Sequence, residues 1–202
     1  MMDIKSKSEI IIPFENIGDE NWSNKTEYII SELADNWGDE LPPSISSQEI
    51  FELEKRLGTT LPDGLKLFYQ EFGVANVGEQ LQNFTEIGWI KDIWKDQPEY
   101  GPDFSDEDNK HLSFLVSFSD YLGNGNMFCF HSETKEIYYY DHDTKPFLTK
   151  LFDDVSDYLK GCLVSCQAEL FNQEIGQEQV EEWCEEILNE MFDEHIVKKW
   201  RY

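Results

Sequence analysis

The side chains able to do covalent or metal chemistry in this chain are few and scattered. Asp141, His142 and Asp143 follow a run of strand-forming residues, and His131 stands eleven positions before His142, so two imidazoles and two carboxylates are candidates for one zinc- or iron-type ion. Against this, successive residues of a strand point to opposite faces, which parts Asp141 from His142, and the strand-end reading is the better one. Cys162 and Cys166 lie four apart on one helical face and, with Cys184 and His195, formally complete a four-ligand set. These cysteines coincide with apolar stripes, however, where cysteine packs as a small hydrophobe. No local motif joins a cysteine nucleophile to His111, His131 or His142, and no GxSxG, P-loop or GxGxxG occurs. No catalytic residue, metal site or cofactor is assigned on this reading, and the expectation is a protein that is not an enzyme.

The chemistry that remains is electrostatic. Among 202 residues, 42 are acidic and 16 basic, a formal net charge of −26. Phosphate binding requires clustered Lys and Arg, so nucleic acid is an unsuitable partner, and an anionic membrane surface is repelled for the same reason. A basic protein is attracted and steered; the plainer account of the charge is solubility. Two regions concentrate it. Lys95 to Lys110 holds Asp96, Glu99, Asp103, Asp106, Glu107 and Asp108 with two prolines and a glycine, a composition that predicts a long exposed loop. Beside it, Trp94 and Tyr100 are either aromatic anchors for a partner or, for Trp94 and Trp89, side chains packed beneath the loop. Gln167 to Val197 carries ten acidic residues and neither Lys nor Arg. There Val180, Trp183, Cys184, Ile187, Leu188, Met191 and His195 form one apolar face, opposite Glu181, Glu182, Glu185 and Glu186. Acids near a helix start suit its dipole, but ten exceed what capping requires.

The elements that must position these groups have local signatures. Ser46 and Glu49 form a capping box, Ile50, Leu53 and Leu57 follow at helical spacing, and Gly58 supplies the C-terminal cap. Leu61-Pro62-Asp63-Gly64 opens a second helix with Leu65, Phe68, Tyr69 and Phe72 on its apolar stripe. His111 to Phe118, Met127 to Phe130 and Ile137 to Tyr140 read as antiparallel strands joined by polar turns. Val155 to Cys166 returns to helical spacing, with Gly161 weakening it. Residues 1–36 read as an extension with an edge strand at Glu9 to Phe14 and a short helix around Thr26 to Leu33. The run Ile10 to Ile12 is too short for a signal-peptide core, and no stretch approaches the roughly 18 apolar residues that span a bilayer. A cytoplasmic protein with four buried free thiols is expected.

Trp37, Pro42-Pro43, Ile50, Leu53-Glu54, Leu57-Gly58, Leu61-Pro62 and Phe68, followed by Phe114 to Asp120, Gly123 to Gly125, Met127 to Phe130, Ile137 to Asp141 and Phe152 to Leu163, resemble the SUKH superfamily over residues 37–163. That group includes fungal Smi/Knr-type regulators of glucan synthesis and bacterial immunity proteins. Where many members carry Asn-Gly-Gly after the second helix, this chain has Gly73-Val74-Ala75-Asn76. The resemblance implies an α+β fold, an antiparallel sheet of five or six strands with helices around it. It divides the chain into the extension 1–36, the core 37–163 and an acidic helix, 164–202, packed on the same domain. It also implies a protein-binding module, an immunity protein that neutralises a cognate toxin domain, possibly a nuclease, by occlusion. A scaffold in cell-wall synthesis or signalling is the alternative, and a metal-dependent enzyme a more remote one. The partner-binding candidates are Trp94, Asp96, Glu99, Tyr100, Asp103, Asp106, Glu107, Asp108, Glu181, Glu182, Glu185 and Glu186.

Overall fold

Residues 2–95, 101–120 and 123–201 are described by a computed structural model. Its centre is a six-stranded antiparallel sheet built from β1 (Gln80–Leu81), β2 (Gly88–Trp89), β3 (Leu115–Asp120), β4 (Met127–His131), β5 (Ile137–Tyr140) and β6 (Leu148–Phe152). The two short strands β1 and β2 share one edge of β3, and the rest run β3-β4-β5-β6 as a meander. An α+β fold with a sheet of this size agrees with the sequence.

Alternation along the strands creates two apolar faces. Val116, Phe118, Phe128, Phe130, Ile137 and Tyr139 enter the main core, which they share with helices α1 (Trp22–Trp37), α2 (Ser47–Leu57), α3 (Asp63–Phe72) and α5 (Val155–Ser165). Leu115, Cys129, Tyr138, Tyr140 and Leu148 face the other way. They are covered by Ile90, Trp94, Phe104 and Leu112, the last from helix α4 (Asp106–Leu112). The described part of Lys95 to Lys110, residues 101–110, is therefore not simply an exposed loop. Ser105 and Asp108 form a capping box there, with Ser105 Oγ accepting from the Asp108 N–H at 3.1 Å and the Asp108 carboxylate accepting from the Ser105 N–H at 3.0 Å.

The helical hairpin forms as its caps dictate. Ser46 N–H donates to Glu49 at 3.0 Å, Gly58 ends α2 in the left-handed region at φ 71°, and Glu54 accepts from the Leu61 N–H at 2.9 Å, tying the corner to α3. The expected edge strand at Glu9 to Phe14 is absent. Instead, the side-chain amide of Gln167, wholly buried, donates to Ile11 C=O and accepts from Ile11 N–H, both at 2.8 Å. One glutamine thus replaces a strand partner, and a 3₁₀ turn at Lys7–Glu9 precedes it. The helix predicted around Thr26 to Leu33 is the longer α1.

The C-terminal helix is interrupted. α6 (Gln177–Met191) stops where Phe192 turns extended, at φ −130° and ψ 159°, and α7 (Glu194–Arg201) follows. His195 is consequently exposed on α7 and does not continue the apolar face of α6. α7 is amphipathic and folds back so that Val197 and Trp200 are buried, while Lys199 pairs with Asp141. Trp200 packs edge-on to Phe152 at 5.8 Å. Gly161, which weakens α5 intrinsically, makes this possible, since a Cβ there would lie 2.6 Å from the Trp200 ring. All four cysteines are buried as free thiols. No helix among the described residues is long and apolar enough to cross a membrane.

Gly161→Ala is expected to destabilise the protein by about 1–3 kcal/mol through overpacking, despite the helix propensity it gains. In a Trp200→Ala background, where the clash is gone, it should be close to neutral or stabilising. Urea denaturation of the four proteins checks this; additive effects would show that Trp200 does not rest on Gly161.

Candidate functional site: an acidic trough

The structure separates the residues suspected of metal chemistry. The β4–β5 register pairs Met127 with Tyr140 and Phe130 with Ile137, placing Asp141 beyond one end of the hairpin and His131 at the other. Asp141 stands opposite Asn126, five strand positions from His131, roughly 16 Å at about 3.3 Å per residue. Asp141 is engaged where it stands, by Lys199 and by the N–H groups of Asp143 and Thr144 at 2.9 and 3.2 Å. His142 turns to Asn126, whose Oδ1 lies 2.6 Å from Nδ1. His131 is buried and stacks on Phe114 at 5.0 Å, with Nδ1 accepting from the N–H groups of Glu133 and Thr134. Burial, together with nearby His111, pushes its pKa below the ordinary histidine value. Among the described residues, no group of three His, Cys, Asp or Glu is placed to hold a metal ion.

The acids suspected of partner binding have unequal surroundings. Asp96, Glu99 and Tyr100 lie outside the described residues. Trp94 is half-buried, packed on Phe104 at 5.8 Å and Tyr140 at 5.6 Å, so its ring belongs to the second apolar cluster. Asp108 is 1% exposed. Burial opposes its ionisation, but bonds from Ser105 and the Leu148 and Phe147 N–H groups outweigh that and hold its pKa below the usual carboxylate value. Its place among partner-binding residues is corrected on this ground: a carboxylate enclosed by its own fold has no free acceptor for a visitor. Asp103 lies 3.3 Å from Lys145, Glu107 pairs with Lys110, and Asp106 is exposed. On α6, Glu186 lies 3.0 Å from Lys7, whereas Glu181 and Glu182 are exposed and accept from Gln177 and Gln179, both at 2.9 Å.

Glu181 belongs to a depression that sequence reasoning did not foresee. One hollow of about 390 Å³ lies between the end of α1 at Trp37, residues 76–80, the end of α5 and Glu181. It shares Ser165 and Glu181 with a second of about 380 Å³ lined by Glu178, Glu182 and Glu185. It also shares Asn76 and Gln80 with a third of about 410 Å³ bounded by Glu86 and Asp120. The shared residues make the three neighbours along one acidic trough, and among the described residues no Lys or Arg lines any of them. Gly78 forms part of its floor at φ 88°, where a Cβ would meet Cys166 at 2.8 Å, so this turn lies directly against α5. Glu79 is buried in the same wall. Gln177 bridges Glu169 and Glu181 at 3.1 and 2.9 Å. Glu169, Glu181 and Glu182 therefore hydrogen-bond to neutral amides, and none of the three enters an ion pair among the described residues.

The profile of the SMI1 / KNR4 family (SUKH-1) matches residues 44–161. The chain belongs to this family. The match covers α2, α3, the sheet and the first seven residues of α5, so one wall of the trough lies inside the SUKH module. The wall formed from Cys162 onward, including α6, lies beyond it. Neither the comparison with curated proteins nor that with solved structures gave a match.

Two stability measurements follow. Asp108→Ala should cost about 1–3 kcal/mol in urea unfolding by orphaning buried N–H groups, whereas Asp103→Ala and Asp106→Ala should stay within about 0.5 kcal/mol of the parent. Because the native His131 resists protonation, the unfolded chain binds the extra proton as pH falls through the ordinary histidine range near 6.5. Stability contributed by its neutral form is complete above that value and declines below it. His131→Asn, which keeps an acceptor near the Nδ1 position, should lessen the loss between pH 7.5 and 5.5; an unchanged slope would contradict the assignment.

Proposed function

We propose that this SUKH-family protein is a non-enzymatic binding module that neutralises a basic partner, most simply a cognate toxin domain, by covering the partner's functional surface. The observation that carries the proposal is the trough, a concave surface whose Glu169, Glu181 and Glu182 have amide neighbours in place of cations. Carboxylates left in this state attract Lys and Arg at long range and need no internal ion pair broken when those side chains arrive. A nuclease suits the description, because the groove that holds phosphate is itself basic and an acidic surface competes for it. Occlusion asks nothing of the inhibitor beyond shape and charge. Such a protein would act in the cytoplasm, where the toxin would otherwise damage its producer.

The sequence offers two acidic regions, and the proposal takes α6 rather than Lys95 to Lys110, where the described acids are paired, buried or, for Asp106, exposed but outside the trough lining. The test is co-expression with the C-terminal domain encoded by the neighbouring gene, scored by host growth and co-purification. Growth rescue with a stable complex is expected. Glu181→Lys combined with Glu182→Lys should weaken that complex by at least about tenfold and flatten its salt dependence, while Asp103→Lys with Glu107→Lys should change affinity much less. Equal effects from the two pairs would remove the trough from the interface. A complex formed with a harmless partner would favour the regulatory scaffold.

A further inference from the structure

The trough continues past its acidic part. Val74 and Asn83 are shared with a groove of about 430 Å³ between α2 and residues 83–85, lined by Ile45, Leu53, Val74 and Phe84. Ile45, Val74 and Phe84 are half-buried, so water meets apolar surface there. The walls are fixed in the unliganded fold. Arg56 donates to the Phe84 and Ile87 carbonyls, stapling residues 84–87 to α2, and the Phe84 ring stands edge-on to Tyr69 at 5.1 Å. With the Arg56 guanidinium turned to those carbonyls, the other charged rim groups are Glu49 and Glu52. The groove is therefore apolar within, net acidic at its mouth with Glu49 and Glu52 beside Arg56, and adjoins hollows that no Lys or Arg lines among the described residues.

We infer that this groove is the anchor seat of the same interface, receiving one bulky apolar side chain of a partner segment whose neighbouring Lys or Arg residues extend along the trough toward Glu169 and Glu181. The inference rests on the reading that the trough receives a basic partner. Charge complementarity and continuity select this occupant: an apolar side chain alone would fill the groove, but a segment bearing adjacent cations also meets the acidic rim and the three hollows beyond. A preformed hollow of this size suits a single anchor, and interfaces commonly combine a desolvated anchor with charged surroundings.

The probes are short fluorescein-labelled peptides, one with a central Trp flanked by Arg residues, one with Ser replacing that Trp, and one with Gly replacing the arginines. Binding to the full chain is read by fluorescence anisotropy. The Trp-Arg peptide should bind at least about tenfold more tightly than the Ser-Arg peptide. Thr85→Trp, which covers the groove without changing charge, and Ile45→Asn, which makes its lining polar at a residue outside the trough's hollows, should each erase that advantage and leave Ser-Arg binding unaltered. Circular dichroism verifies that both variants are folded. Equal binding of the Trp-Arg and Ser-Arg peptides by the parent would overturn the anchor seat while leaving the acidic trough standing. Loss of the requirement for arginine would instead bring down the trough reading, and the inference with it. A parent dimer in sedimentation, dispersed by Thr85→Trp, would assign the groove to a second copy of the chain and overturn the proposal.

Discussion

A chain with 42 carboxylates and 16 Lys or Arg side chains cannot pair most of its negative charge internally, and the molecule is arranged around that excess. Buried or partly buried acids are held by donors that carry no net charge or by a single cation. Asp108 takes N–H groups and a hydroxyl, and Asp141 takes two N–H groups and Lys199. Exposed acids near lysines form surface pairs, each of which contributes about 0–1 kcal/mol and can be exchanged for another partner. Eight acids line the trough between residues 74–86 and α6, where Gln177 and Gln179 rather than lysines stand beside Glu169, Glu181 and Glu182.

The two walls of that trough are held by different means. The 74–86 wall is fixed by the sheet edge at β1 and β2, by Gly78 against Cys166, and by the Arg56 staple. The α6 wall rests on α5 through Val180, Cys184, Ile187 and Leu188. Beyond α6, α7 returns to place Trp200 on Gly161 and Lys199 on Asp141. The residues of the trough are therefore carried on elements seated in one core, the condition for a surface that meets a partner without first having to order itself.

Much of the fold was legible because its signals are local. The Ser46 capping box, Gly58 and Pro62 act within a few residues, and the aromatic and β-branched runs of β3, β4 and β5 announce strands wherever they pair. The candidate site was less legible. Residues 74–86 contain one strand of two residues, β1, too short for any periodicity, and they acquire meaning only by meeting α5 and α6. Glu181 and Glu182 were found as part of an acidic helix face, but Glu169, Glu79 and Glu86 were not, since nothing in their spacing marks them as neighbours. Asp108 was misplaced because its capping box lies within a run of acids that reads as solvated loop. The Phe192 break escaped notice because apolar residues continue at helical spacing across it, as far as His195. The edge strand at Glu9 to Phe14 failed because a single side chain, Gln167, met the demand of the Ile11 backbone that a strand ladder would otherwise meet.

The central claim is that a basic partner occupies the trough between residues 74–86 and α6. Hydrogen–deuterium exchange on the complex with the co-purified partner tests it most directly. Protection gathered on residues 45–56, 74–86 and 165–186, with 101–112 and 142–147 exchanging as in the free protein, is the predicted result. Protection confined to 101–112 and 142–147, on the other side of the sheet, would contradict it.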